Sequence, residues 1–201
     1  MTEPAAKPII VRKVVVIFDI CSSTSILEDL IRTENHVAWQ RVLGLLKRFC
    51  WAQNIGKAQM YKFLGDGWIL LFDDEEMSGE RLIRFLKDLS AEYERLFRKF
   101  VADVLSNMPV HIGLTFGVDE GSLVAIVMNK QKEYVGRAIN VAARLQSAVK
   151  NLEGPPQGTL LMSSNAFARL KMKIKSKLIE CKLSNVAGGD QYRVRKIQIA
   201  R

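Results

Sequence analysis

The run KVVVIFDI (Lys13–Ile20) constrains this chain more than any other segment. It is short, apolar and rich in β-branched residues, so it reads as a buried strand. It ends in a carboxylate, Asp19, which needs compensation wherever burial takes it from water. CSSTS follows at once, and its hydroxyl residues suit the cap of a helix. A fold for this chain must therefore bury one strand and deliver a carboxylate to the strand end beside a helix N-terminus.

A second carboxylate sits in YKFLGDGWILLF (Tyr61–Phe72), where Gly65-Asp66-Gly67 breaks two strand-favouring runs. Such runs around a glycine-containing turn predict a β-hairpin. Asp66 has two readings. It can hydrogen-bond its own turn backbone, as aspartates in turns commonly do. If the hairpin lies beside the first strand, it can instead converge with Asp19 on divalent ions. A helix N-terminus there would cradle phosphate.

The remaining pattern predicts a helix from Ile26 to Cys50, a turn near Gly56 leading into the hairpin, and a charge-rich amphipathic helix from Gly79 to about Leu105. VHIGLTFGVD and GSLVAIVMN read as two strands, GRAINVAARLQSAVKNL as a helix after Gly136, and GTLLMSS as a strand. SNAFARL reads as a short helix and QYRVRKIQI as the closing strand after Gly188-Gly189. This order predicts an α+β fold, a mainly antiparallel central sheet with helices packed on it. Residues 13–201 are expected to form one domain behind an N-terminal tail of residues 1–12, a length sufficient for a real core. No apolar run approaches a membrane span, and MTEPAAKP lacks a signal-peptide pattern, so a cytoplasmic protein is expected.

The net charge of +9 asks for an anionic partner. Nucleic acid is the generic candidate, but no nucleic-acid-binding signature surrounds the scattered basic residues, and Phe63, Trp68 and Phe72 read as core rather than as a stacking surface. A nucleoside triphosphate is equally polyanionic. KMKIKSK (Lys171–Lys177) reads as an extended segment with lysines on one face of a sheet edge. Cys21, Cys50 and Cys181 lack zinc-ligand spacing, and only His36 and His111 are present, so any metal must be held by oxygen, which points to magnesium or manganese.

Taken together, VVVIFDICSST, KFLGDG, HIGLTFG and YVGRAINVAARLQSA resemble, in order and spacing, the class III nucleotidyl cyclases, over nearly all of Lys13–Val194. The resemblance implies a class III cyclase-type domain in which Asp19, the carbonyl of Ile20 and Asp66 hold two divalent ions, Mn2+ or Mg2+. It implies that Asn140 orients the ribose and Arg144 stabilises charge on the attacked phosphorus; spaced i to i+4, they share one helix face. Phe18, Ser22, Ser23 and Thr24 fall where that family binds substrate phosphates. The family works as a head-to-tail homodimer with shared sites, so Lys62 and Asp66 would serve opposite sites.

Lys62 matches the family's first base-reading position, where adenylate cyclases also carry lysine, and Glu133 matches the second, where a shorter residue is usual. Arg137 adds a long cation nearby. A pocket so narrowed suits a ring smaller than a purine. As a lone cyclase domain with GRAINVAARLQ, the chain resembles the bacterial pyrimidine cyclases of anti-phage defence, whose cyclic UMP or cyclic CMP activates a separate effector. UTP is the expected substrate. CTP and ATP remain alternatives, as does a catalytically inert nucleotide-binding domain. Neither nucleic acid nor membrane is expected as a partner. The family's triphosphate lysine has only Lys182 as a candidate.

Overall fold

A computed structural model describes residues 8–52, 59–128, 130–186 and 188–199. The start of the expected tail and Gly56 lie outside the described residues. The elements run β1 (Ile9–Ile20), α1 (Ser23–Arg32), α2 (His36–Ala52), β2 (Gln59–Phe63), β3 (Gly67–Asp73), α3 (Gly79–Phe100), β4 (Leu114–Met128), β5 (Gln131–Val135), α4 (Arg137–Ala148), β6 (Thr159–Ser163), α5 (Ser164–Arg169), β7 (Lys177–Cys181) and β8 (Tyr192–Gln198). Strand β1 begins at Ile9, inside the stretch expected to be a tail, and Ile9 pairs with Ala125.

The sheet runs β2-β3-β1-β4-β6-β8-β7, with β5 paired to β4 off that path. Among the described residues only β4 and β6 pair in parallel; the other pairings are antiparallel, as the sequence predicts. Burial on both faces explains the unbroken apolar run of β1. Val14, Val16, Phe18 and Ile20 enter one core with Leu46, Phe85, Leu89 and Phe97, while Val15 and Ile17 enter a second with Ala138 and Ala142 of α4.

Several local readings are corrected. Ile26–Cys50 forms two helices rather than one: Glu34 takes a left-handed conformation (φ 59°), and the Asn35 N–H closes on the Leu30 carbonyl at 2.7 Å. The two strands read from Val110 to Asn129 are one long β4 whose Gly121 pairs with Lys13, and β5 follows it. Lysines 171, 173 and 175 are not on a strand, because Lys171 turns left-handed (φ 50°); only Lys177 belongs to the edge strand β7. Phe63 is 52% exposed, leaning on Trp68 at 4.9 Å between ring centres, so it is not core.

Gly117 sets how α4 rests on the sheet. A Cβ there would lie 2.1 Å from the Ala142 carbonyl oxygen and 2.4 Å from the Gln146 nitrogen, both backbone atoms that cannot turn aside. Gly117→Ala is therefore expected to lower unfolding free energy by about 2–3 kcal/mol through overpacking. Urea denaturation would check this, and a loss within error of zero would show that α4 can lift freely.

Candidate active site

Asp19 and Asp66 come together because β1 and β3 are hydrogen-bonded neighbours, with Asp19 opposite Gly67. Gly67 is required by that approach, since a Cβ would fall 2.0 Å from the Phe18 carbonyl oxygen. The hairpin turn is tied to the end of β1 by the Ile20 N–H donating to the Asp66 carbonyl at 3.3 Å. The Asp66 carboxylate accepts from the buried Ser23 hydroxyl. Asp66 thus bonds outside its own turn.

Asp19 is held from the other side. Thr115 donates to its carbonyl at 3.4 Å and receives the Gln146 amide at 2.9 Å, which couples α4 to the end of β1. Its carboxylate receives the Lys150 ammonium at 3.0 Å. Burial pushes the Asp19 carboxyl above the ordinary range, the Lys150 hydrogen bond pulls it back, and the Asp66 carboxylate raises it again. Two acidic groups so placed form an oxygen donor set that attracts a cation, and the ammonium already answers it. Among the described residues no group of three or more His, Cys, Asp or Glu could hold a metal. Asp19 and Asp66 supply hard oxygen donors, the type that magnesium or manganese takes.

The hydroxyl-rich segment is placed differently from expectation. Ser22 is left-handed (φ 58°) at the N-cap of α1 and makes no side-chain cap; its hydroxyl donates to the His111 carbonyl at 3.2 Å. Ser23 positions Asp66, and Thr24 is exposed. The first bond of α1 runs from Ile26 to Ser22, so the amides of Ser23, Thr24 and Ser25 precede it and lack intrahelical acceptors. Phe18 is fully buried between Trp68 and Phe116, which leaves only its backbone for a substrate.

Lys62 and Glu133 sit on strands that are not paired, yet their charged atoms lie 3.9 Å apart. Lys62 also borders a hollow of about 710 Å3 with Trp39, Phe63 and Trp68. Arg137 also packs on an aromatic ring. Its guanidinium lies 5.8 Å over the Tyr192 ring, in a hollow of about 320 Å3 bordered by Asn165 and Arg193. Asn140 and Arg144 are exposed on α4, whose opposite face is buried through Val141, Ala142 and Leu145. Lys182 follows β7 at the far edge of the sheet and is exposed. Reasoning from sequence missed Ser23 as a partner of Asp66, and missed Thr115, Gln146 and Lys150 altogether. None carries a local signal, and Lys150 reads as an ordinary basic helix end.

Neither a protein-family model nor any curated protein sequence matches the chain. Solved structures do. The adenylyl cyclase CyaB from P. aeruginosa superposes with a TM-score of 0.74 at 16% identity, over 98% of each chain. A bacterial light-regulated adenylyl cyclase gives 0.74 at 20% identity over 98% of this chain, which spans only 53% of that longer one. The guanylyl cyclase Cya2 gives 0.65 at 15% identity, over 95% of this chain and 93% of its own. The chain has the class III nucleotidyl cyclase fold. Among the described residues no helix is long and apolar enough to cross a membrane.

Proposed function

We propose that this chain is a nucleotidyl cyclase that converts UTP to 3′,5′-cyclic UMP and pyrophosphate, a second messenger of anti-phage defence. The observation that carries the cyclase reading is the convergence of Asp19 and Asp66 at one strand end, beside the amides that open α1. The sequence resemblance extends it to the pyrimidine sub-family. In the reaction the O3′–phosphorus bond forms at the α-phosphate and the bond to the bridging oxygen breaks. Pyrophosphate leaves and the hydroxyl proton passes to water.

Two divalent ions, when bound, would supply an activated 3′-hydroxyl and neutralise the leaving pyrophosphate. Asp19, the Ile20 carbonyl and Asp66 would hold them, with Ser23 keeping the Asp66 carboxylate turned toward Asp19. The amides that open α1 would meet phosphate oxygens. Asn140 would orient the ribose, and Arg144 would stabilise charge gathering on the phosphorus. Both project from an exposed helix face, so they would complete the site of a second copy in a head-to-tail homodimer.

Base choice falls to Lys62 and Glu133. Their ion pair is partly exposed and therefore weak, so a base edge can open it. Uracil offers carbonyl acceptors around one N–H donor, which a lysine and a carboxylate complement; cytosine can be read by the same pair turned over. Glu133 would narrow the pocket, and ATP is the standing alternative. Purified protein incubated with manganese and each ribonucleoside triphosphate in turn, with products identified by mass spectrometry, tests this. The expected result is chiefly cyclic UMP, and Glu133→Ala should erode that preference more than it lowers total rate, because a mismatched base leaves a polar partner unpaired. Chiefly cyclic AMP would sink the pyrimidine reading and leave the cyclase reading intact.

A further inference from the structure

The Lys150 ammonium lies where a cation bound to the aspartates belongs, 3.0 Å from Asp19 Oδ2, and it also senses the charge of Asp66. Its backbone is anchored, in a short 3-10 turn (Val149–Asn151) with Val149 buried behind it. Its side chain is 63% exposed against 15% for Asp19, so the stem is free to swing while the carboxylate is not. An ion pair with one solvated partner is weak and exchangeable.

We infer that Lys150 is a placeholder cation and a triphosphate ligand in turn: it neutralises Asp19 and Asp66 until divalent ions arrive, and is then displaced onto the substrate phosphates. The inference rests on the reading of those aspartates as ion ligands. Ions taking the carboxylates repel the ammonium, and a phosphate chain held by the same ions brings several negative charges within reach of a flexible lysine, which binds phosphate as a point charge. Lys150 comes from the same chain as the aspartates. Lys182, at the far sheet edge, is thus not needed for this contact within one chain.

The prediction has opposite signs for two ligands, which a merely structural role would not produce. In Lys150→Met, the substrate-free protein should bind Mn2+ several-fold more tightly, read by electron paramagnetic resonance of the free ion. At saturating Mn2+, calorimetry with 3′-deoxy-UTP and 3′-deoxy-ATP, neither of which can cyclise, should show affinity reduced roughly tenfold, the loss of one charge-assisted contact. Lys150→Arg, which keeps the charge, should stay close to wild type in both, and an unchanged thermal melt would exclude misfolding. Mn2+ binding that is unchanged or weaker, triphosphate binding that is unchanged, or a wild-type protein that binds neither ligand would overturn the inference. A wild-type protein that binds both and makes no cyclic product would instead overturn the cyclase reading and leave the exchange standing.

Discussion

Asp19→Ala and Asp66→Ala proteins are expected to fold normally and to form no detectable cyclic nucleotide. Loss of one ligand to a catalytic ion removes several kcal/mol of transition-state stabilisation, which is a fall of at least ~10³-fold in turnover. Stability should move little, because the carboxylates oppose each other in the ion-free protein. Burial and the Asp66 charge both push the Asp19 carboxyl upward, so removing Asp66 relieves repulsion while leaving the Ser23 hydroxyl without that acceptor. Product assays by mass spectrometry beside thermal melts separate the two effects. Near-wild-type turnover in either variant would refute the assignment of these residues to the ions, and a collapsed melt would show that the pair serves the fold.

The second large effect concerns the shared site. Asp66→Ala and Arg144→Ala chains should each be inactive alone, and mixing them should restore activity. Lys62, Glu133, Asn140 and Arg144 would serve the site opposite to the one holding their own Asp19 and Asp66. A heterodimer therefore has one interfacial site with both intact halves and one with both lesions. Random pairing of equal amounts makes half the dimers mixed, each with one working site of two, so about a quarter of wild-type activity is expected if sites act independently. Subunit exchange is verified with differently tagged chains. Exchange without recovery would show that Arg144 and Asp66 act within one chain, or that the exposed face of α4 has another use.

Local sequence carried much of this reading, for identifiable reasons. The β-branched run of β1 has no alternative to burial, and the glycines around Asp66 leave no alternative to a turn. The apolar positions of α3 and α4 keep helical spacing, so both helices are present, although α3 ends at Phe100 rather than near Leu105 and α4 ends at Ala148. The failures have two different causes. The break between α1 and α2 depends on Glu34 adopting a left-handed conformation without a glycine to announce it. VHIGLTFGVD and GSLVAIVMN read as two strands, but β4 continues through Gly121 because β1 pairs with it from Leu114 to Ala125. At Gly121 a partner distant in sequence overrode a local preference, whereas at Glu34 the chain closed locally, with the Asn35 N–H on the Leu30 carbonyl.

The same division runs through the candidate site. The sequence by itself determined which chemical groups are present: two carboxylates at strand ends, a polar pair one helical turn apart, and an oxygen-rich, histidine-poor inventory that favours hard cations. Which groups meet was decided only in three dimensions. Pairing of β1 with β3 placed Asp19 beside Asp66, and the strand arrangement brought Lys62 within 3.9 Å of Glu133. Packing of α4 on Gly117 carried the chain on to Lys150 and delivered its ammonium to Asp19. Arg137, close to Glu133 in sequence, was carried instead to Tyr192. Side-chain chemistry is a property of the residue and can be read one position at a time, but electrostatic contact falls off over a few ångströms and depends on distances that only the folded backbone sets.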